Sequence, residues 1–194
     1  MTKIFRKIPG LSLCQIIYRE LIRRDFSFSE VLNNYETYHE KSHVSPQSYL
    51  QVRLISEWIE PDSTVLSVGC GEGFAEEYLE KNKKCKVSGI DISKKAISKF
   101  ITKGFEGRVR DIDKGLALTH EENYDYIIFV EVLEHLKYPH KILLEACRHA
   151  EKGVIVTLPN SGHIRWRIQM LRGYSPRQSF THLHFWSIRD FEYS

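Results

Sequence analysis

The sequence predicts a doubly wound α/β domain with a mainly parallel sheet, and three observations carry that prediction. From residue 64 onward, short apolar segments alternate with segments of helical periodicity, which is typical of parallel strands joined by helices. The first apolar segment, 65–68, runs into the glycine-rich turn Gly69–Gly73 and then into a helical segment. The run YDYIIFV at 124–130 is continuously apolar from Tyr126 to Val130, as in a strand covered on both faces.

Length and composition set the class of protein. The chain has 194 residues, of which 42% are hydrophobic and 27% are charged. These values are ordinary for a globular domain and exclude a disordered tail protein, a collagen and a polytopic membrane protein. No stretch approaches the ~18 consecutive apolar residues that span a bilayer.

The net charge of +3 comes mostly from basic residues near the two ends of the chain. Solvated helix faces are the favoured interpretation of these residues, and a polar or anionic substrate is the alternative. We do not expect a nucleic-acid partner, because the overall charge is balanced. The four cysteines form no C-x-x-C pair, so we predict free thiols in a reducing cytoplasm rather than a zinc site.

The N-terminal part, residues 1–48, is predicted to be a helix and a lid attached to a main domain at 49–194. An amphipathic helix is predicted over 11–24, because apolar residues recur there at helical spacing: Leu13, Ile16, Ile17, Leu21 and Ile22. The alternative for this segment is a helix lying on a membrane surface.

The polar and aromatic segment 33–48 is predicted to be a loop or lid. Its Tyr38 and His39 are candidate substrate-facing residues, because aromatic faces attract a cationic ligand. Ordinary packing of the lid is the alternative.

The remaining elements follow in order from residue 50. Helical periodicity covers 50–58 and Pro61 closes it. The further elements predicted are helix 74–81, strand 86–90, a helix capped by Ser93 and ending near 102, strand 107–110, strand 124–130, helix 140–150 and strand 153–158.

The glycine-rich turn predicts a ligand site at a helix N-terminus. Glycines there permit positive φ and close approach of a ligand to the backbone. The spacing is G-x-G-x-G, and Phe74 stands where the dinucleotide fingerprint requires Gly or Ala. Asp91 ends the next strand, where a carboxylate can accept both ribose hydroxyls of a nucleoside.

Four segments taken in order resemble a known superfamily. VLSVGCGEG, GIDIS, RDID and YDYIIFVEVLEHL resemble the successive motifs of the class I S-adenosylmethionine-dependent methyltransferases, over about residues 45–192. The resemblance implies a Rossmann-like sheet of strand order 3-2-1-4-5, with S-adenosyl-L-methionine as cofactor and S-adenosyl-L-homocysteine as product. LPNSGHIRWRIQMLRGYSP and HLHFWSIRDFE are similar to the MetW proteins, which implies a small-molecule substrate.

The same resemblance implies a set of cofactor-binding residues. The glycine turn would line the methionine and ribose part, Asp91 would bind the ribose, and Ile92 would pack on adenine. Ser67 stands where the superfamily usually has Asp or Glu, so a carboxylate is missing there. The implied residues are Ser67, Gly69, Cys70, Gly71, Gly73, Asp91, Ile92, Asp111, Ile112, Val130 and Glu131.

The resemblance also implies a helix and an antiparallel strand pair after D-F-E, whereas this chain stops at Ser194. We therefore expect either a fragment or a domain whose fifth strand is a free edge. A fifth strand left at the sheet edge would expose backbone groups. We therefore expect a loop, a partner or a second copy in a dimer to cover that edge.

Glu131, Glu134 and His135 stand at i, i+3 and i+4, so on a helix they would share one face. His135 is the candidate catalytic base, because an unperturbed imidazole titrates near neutral pH. A metal site formed by these three residues is an alternative, since E-x-x-E-H resembles metal-dependent quinone O-methyltransferases and small-RNA 2′-O-methyltransferases. Structural roles are a third possibility, and the favoured prediction is that no metal binds.

Three further histidines lie near the predicted edge. His163 follows P-N-S-G after the fifth strand and either faces substrate or caps the next helix. His182 and His184 flank Leu183, and alternation along an extended segment is the favoured explanation for them.

These observations predict a methyltransferase that acts on a small-molecule acceptor. The alternatives are a non-catalytic partner protein that binds the cofactor, which Ser67 and the short C-terminus favour, and an RNA methyltransferase.

Overall fold

A computed structural model describes residues 3–4, 13–19, 46–174, 181–187 and 190. Its strands form one sheet, and its helices lie on both faces of that sheet. The strands are β1 (Lys3–Ile4), β2 (Leu13–Arg19), β3 (Thr64–Val68), β4 (Lys86–Asp91), β5 (Glu106–Val109), β6 (Tyr124–Val130) and β7 (Ala150–Pro159). The helices are α1 (Pro46–Ser56), α2 (Phe74–Lys83), α3 (Lys94–Thr102), α4 (Pro139–His149) and α5 (Ile164–Leu171), with 3-10 turns at Ile112–Lys114 and Leu133–His135.

The sheet order is β1-β2-β7-β6-β3-β4-β5. The five strands from β3 to β7 are parallel to their neighbours, and in chain order they give 3-2-1-4-5. The predicted fold class is therefore confirmed. The order reverses between β3 and β6, which in open parallel sheets opens a crevice beyond the carboxyl ends of those strands.

Two apolar layers hold the helices on the sheet. On one face, Leu66, Val68 and Phe129 pack with Ile142 and Ala146 of α4. On the other face, side chains of α1, α2 and α3 pack against Val65 and Ile128. Neighbouring residues of β3 thus serve opposite layers, as the period of two along a strand requires. Because both faces are covered, β6 is apolar without interruption from Tyr126 to Val130.

The predicted N-terminal helix is wrong over the residues that the structure describes. Residues 13–19 form β2, which pairs in parallel with β7 along its whole length, from Leu13 beside Gly153 to Arg19 beside Pro159. Leu13, Ile16 and Ile17 suit helical spacing equally well, but β-branched residues favour a strand when a free edge is present. Leu21 and Ile22, with the lid residues Tyr38 and His39, lie outside the described residues.

The expectation of an exposed fifth strand is corrected by the same pairing. The fifth predicted strand is β7, and β2 covers its edge, while β1 pairs antiparallel with β2. The chain itself thus supplies the hydrogen-bond partners that a loop, a partner or a second copy was expected to supply.

Helix α1 runs from Pro46 across the boundary predicted after residue 48. Among the described helices, none is long and apolar enough to cross a membrane.

Candidate functional site

The glycine turn follows β3 at the carboxyl edge of the sheet. Gly69 has φ 74° and Gly73 has φ 86°, both in the left-handed region that favours glycine. The amides of Gly69 and Cys70 donate to the Ile90 carbonyl oxygen at 2.7 and 3.1 Å, which ties the turn to the end of β4. A Cβ on Gly69 would overlap the side chain of Val132. The turn therefore lies directly against the segment that follows β6.

Asp91 links the glycine turn to the start of α3. Its Oδ2 accepts from the Gly71 amide at 2.9 Å, and its Oδ1 accepts from the Ser93 amide at 2.8 Å. The side chain is 7% exposed, and each carboxylate oxygen keeps a further acceptor position beyond these bonds. Ser93 caps α3 as predicted, because its hydroxyl accepts from the Ala96 amide at 3.1 Å.

A carboxylate lies beneath the turn even though Ser67 is not acidic. Glu76, in the first turn of α2, is 1% exposed and receives a hydrogen bond from the Ser67 hydroxyl. Burial raises the pKa of Glu76 to about 7, and the bond from Ser67 offsets part of that rise. Oε2 of Glu76 has no hydrogen-bond partner among the described residues. A buried acid from the helix thus occupies the region where the strand lacks one.

Cys70 is inert at this position. Its thiol is buried, and burial raises the pKa of Cys70, with the negative charges of Glu76 and Asp91 acting in the same direction. The thiolate, which is the reactive form, is therefore disfavoured.

The predicted adenine residues lie beyond β4 and β5. Ile92 is 54% exposed directly after β4, which leaves an apolar side chain open to a ligand. Asp111 caps the 3-10 turn by accepting from the Asp113 amide at 3.2 Å. The side chain of Ile112 belongs to the core, so only its backbone remains to meet a ligand.

β6 ends in a conformation that its neighbour β7 holds in place. Val130 is half-buried, and Glu131 has φ 55°, which non-glycine residues rarely adopt. The Glu131 amide donates to Thr157 Oγ1 at 3.1 Å, and Gln51 Nε2 of α1 donates to the same hydroxyl at 2.8 Å. Because Glu131 has left the helical region and a 3-10 turn follows, it does not share a helical face with Glu134 and His135.

Residues 181–187, here called the C-terminal strap, cross the turns that follow β6 and β7. The Leu183 amide donates to the Glu134 carbonyl oxygen at 2.7 Å, and His184 Nε2 lies 2.9 Å from the Leu136 carbonyl oxygen. At the other end, the Ser161 amide donates to the Trp186 carbonyl oxygen at 2.9 Å. The strap therefore brings residues from late in the chain to the crevice.

The strap places His182 beside His135. The two rings meet edge to face, with centroids 4.8 Å apart, and His182 is 7% exposed. His135 Nδ1 lies 3.1 Å from the Thr181 carbonyl oxygen. Within the described part of the chain, the group with metal-ligand spacing is Glu134, His135 and His182. The set suggested by the sequence, with Glu131 in place of His182, is not the one brought together.

Of the two roles predicted for His163, the structure shows the capping role. It precedes α5, and its Nδ1 accepts from the Arg165 amide at 3.3 Å. The ring is half-buried, and no contact in the structure tests a role toward substrate.

A cavity of about 270 Å³ lies at the opposite edge of the sheet, among the first residues of the strands. Its rim carries the ion pair of Arg108 and Glu122, 2.5 Å apart. None of the predicted site residues lines this cavity, so it is separate from the crevice.

Sequence reasoning missed Glu76 and His182. Glu76 resembled an ordinary acidic residue in a first helical turn, and the lack of a carboxylate at Ser67 was the only signal for it. His182 and His184 flank Leu183, so the spacing predicts that on an extended segment the two histidines share one side and Leu183 takes the other. It does not predict what each side contacts.

Comparison with known proteins gives a family for most of the chain. The family model described as "Methionine biosynthesis protein MetW" matches residues 50–193. The ubiquinone biosynthesis O-methyltransferase of Hydrogenovibrio crunogenus is 33% identical over 97 residues, which cover 47% of this chain and 40% of that protein. The mitochondrial ubiquinone biosynthesis O-methyltransferase of Candida albicans is 28% identical over 119 residues, covering 57% of this chain and 36% of that protein. The chain thus spans less than half the length of these curated relatives.

Solved structures share the fold at low sequence identity. A SAM-dependent methyltransferase from Archaeoglobus fulgidus aligns with a TM-score of 0.63 at 19% identity, covering 83% of this chain and 72% of that one. Phosphoethanolamine N-methyltransferase 2 of Haemonchus contortus, in complex with S-adenosyl-L-methionine, aligns with a TM-score of 0.59 at 16% identity, covering 79% and 37%.

Proposed function

The chain belongs to the MetW family of methionine biosynthesis proteins, and on that premise we propose that it transfers a methyl group from S-adenosylmethionine to a small-molecule acceptor. The observation that carries the proposal is the Gly71–Asp91 contact of 2.9 Å beside the Val132–His135 segment. At one edge of the sheet, this contact joins the backbone amides of the glycine turn, the Asp91 carboxylate that can accept from ribose hydroxyls, and the candidate proton acceptor His135.

The residues of the crevice fit this cofactor in shape and charge. The glycine turn offers backbone amides and close approach, and exposed Ile92 offers an apolar surface for a base. Asp91 places negative charge near the turn, and Glu76 adds to that charge when it is ionised, above its pKa of about 7. This charge complements a cofactor that carries a sulfonium and an ammonium group. The side chain of Glu72 is drawn away to Lys99 of α3, with Nζ and Oε1 2.7 Å apart.

In this proposal each cofactor contact has an assigned residue. Asp91 binds the ribose hydroxyls, Asp111 and the Ile112 backbone face the adenine amino group, and Val130 and Glu131 lie beneath the methionine moiety. Ser67 acts only through Glu76, because the residue is 2% exposed and its hydroxyl donates a hydrogen bond to that carboxylate.

S-adenosylmethionine supplies a methyl group that its sulfonium charge has already activated, so the protein contributes mainly proximity and orientation. An oxygen acceptor must also lose its proton. A carbonyl oxygen only accepts hydrogen bonds, so the contact of His135 Nδ1 with Thr181 places the proton on Nδ1 in neutral imidazole. His135 Nε2 is then the nitrogen that can act on the acceptor, either as a base or through an ion.

Calorimetry of Asp91→Ala tests the site. We expect this substitution to abolish detectable binding of S-adenosylmethionine and S-adenosylhomocysteine, because the ribose loses its acceptor and the Gly71 amide loses its anchor. Asp125→Ala is the matched control, since Asp125 also accepts from a backbone amide, that of Thr64 at 2.8 Å, at the opposite edge of the sheet. Equal affinity of the Asp91 variant and the wild type would refute the assignment.

A non-catalytic partner protein is the rival function, and its main ground was the missing carboxylate at Ser67. Glu76 supplies a buried carboxylate at that place, which favours an enzyme. Cofactor binding without turnover on hydroxyl, amine or thiol acceptors would instead favour the rival. Cys70, Cys85 and Cys147 are thiols rather than members of a disulfide, as expected for the cytoplasmic location that belongs to our proposal.

A further inference from the structure

Three ionisable side chains converge at the crevice outside the cofactor set. Glu134, His135 and His182 each offer one ligand atom, and these atoms lie within 4.8 Å of one another. Glu134 is 1% exposed and His182 is 7% exposed. Two of the three side chains are therefore enclosed by protein atoms rather than by solvent.

The orientation of His135 suits a ligand role. Its Nδ1 donates to the Thr181 carbonyl oxygen at 3.1 Å, so the lone pair of the neutral ring lies on Nε2. Histidines that bind metals almost always donate their other ring N–H to a carbonyl or carboxylate, which fixes the tautomer. Thr181 and His182 are adjacent in the strap, so one segment supplies both the orienting group and a further imidazole.

We propose that Glu134, His135 and His182 bind one divalent cation of the Zn²⁺ or Mn²⁺ class. Two imidazoles and one carboxylate form a donor set that suits these ions better than Mg²⁺, which prefers oxygen ligands. Ligand atoms at ~2.0–2.2 Å from one tetrahedral ion lie about 3.3–3.6 Å apart. The ligand atoms of the three side chains, which lie within 4.8 Å of one another, therefore need to close by at most about 1.5 Å.

The role of the ion rests on the proposed methyl transfer. Three protein ligands leave coordination positions open, and an oxygen bound there loses its proton more readily. This defines the substrate class as an alcohol or phenol. In the transfer, the oxygen–carbon bond forms while the carbon–sulfur bond breaks and leaves its electron pair on sulfur, and the hydroxyl proton passes to solvent. His135 is then a ligand rather than a base.

The test is calorimetric titration of the whole chain with Zn²⁺ and, separately, with Mn²⁺. We expect one ion per chain for at least one of the two metals, and at least tenfold weaker binding in Glu134→Gln and His182→Gln. His149→Gln is the matched control, because His149 Nδ1 also lies 2.8 Å from a carbonyl oxygen, that of Glu122, far from the crevice. This control should bind the ion like the wild type.

A measurement on the wild type guards against variants that fail to fold. Co²⁺ bound by imidazole and carboxylate ligands in an open site changes its visible absorption relative to aqueous Co²⁺. We expect that change to saturate at one equivalent and to be reversed by excess Zn²⁺. An unchanged Co²⁺ spectrum, or a folded His182→Gln that binds the ion with wild-type affinity, would overturn the site.

A parallel titration with S-adenosylmethionine separates this inference from the proposed function. A chain that binds S-adenosylmethionine but neither metal overturns the ion site and leaves the transferase proposal standing. A chain that binds the ion but not S-adenosylmethionine keeps the site and overturns its role in methyl transfer.

Discussion

The carboxyl edge of the sheet has two halves that bind in different ways. The half around β3 and β4 presents backbone: three glycines with positive φ and the amides of Gly71 and Ser93 gathered on Asp91. The half after β6 presents side chains, namely Glu134, His135 and His182. The first half depends on the path of the chain and the second on the identity of its donors, so substitutions should affect them unequally.

The largest effect should come from changing the backbone half at Gly69. Gly69→Ala places a Cβ against Val132 at φ 74°, so we expect a loss of about 2–5 kcal/mol in stability and at least a hundredfold loss in cofactor affinity. Denaturant unfolding and calorimetry measure the two effects.

Gly104→Ala is the control for this prediction. Gly104 has φ 95° but nothing within 4 Å of an added Cβ, so it carries only the conformational cost of about 1–2 kcal/mol. If Gly69→Ala and Gly104→Ala lose the same amount of unfolding free energy, the overlap of the new Cβ with Val132 contributes nothing to the loss.

A medium effect should come from Glu76, a side chain on which the backbone half depends. Its pKa in the folded chain is about 7 against 4.5 as the ordinary value. The folded state therefore binds more protons than the unfolded state between these values, and stability falls as the pH rises from about 4.5 through 7. The shift corresponds to about 3 kcal/mol.

Unfolding of Glu76→Gln at pH 5 and pH 8 measures this effect. Between pH 5 and pH 8 the variant should show little of the decrease in unfolding free energy that the wild type shows. Glu77→Gln is the control, because Glu77 is a half-exposed neighbour on the same helix that pairs with Lys103. If the stability of the wild type does not fall between pH 5 and pH 8, the burial of Glu76 and its raised pKa are contradicted.

The smallest effect should come from Lys99, whose ion pair with Glu72 is partly exposed to solvent. Lys99→Met should change stability by less than about 1 kcal/mol and cofactor affinity by less than threefold, since exposed pairs contribute little. Lys81→Met, an exposed lysine of α2, is the control. A tenfold loss of affinity in the Lys99 variant alone would mean that the backbone half depends on side-chain charge after all.

The sequence predicts one half of the edge better than the other because of chain distance. Gly69–Gly73 and Asp91 lie within 25 residues of one another, and their positions follow from two strand ends. His182 reaches His135 only through the strap, whose contact joins residues 46 positions apart. The alternation of His182 and His184 around Leu183 cannot predict that His182 contacts His135.

The N-terminal error has a similar cause. Within Leu13–Arg19, the spacing of the apolar residues fits either a helix or a strand. The partner strand β7 begins only at Ala150. Local spacing could not select between them, because the deciding hydrogen bonds are long-range. Glu76 was missed for a different reason. The sequence places it in the first turn of a helix, but its burial depends on how α2 packs beneath the glycine turn.

The strap also fixes when the crevice is completed during synthesis. Ribosomes extend a chain from its N-terminus, so β6 and the turn after it emerge well before Leu183 and His184. Until those residues arrive, the Glu134 carbonyl oxygen lacks the amides that hold it in the finished chain. A nascent polypeptide can therefore assemble its glycine turn first, and the histidine side of the edge is the last to close.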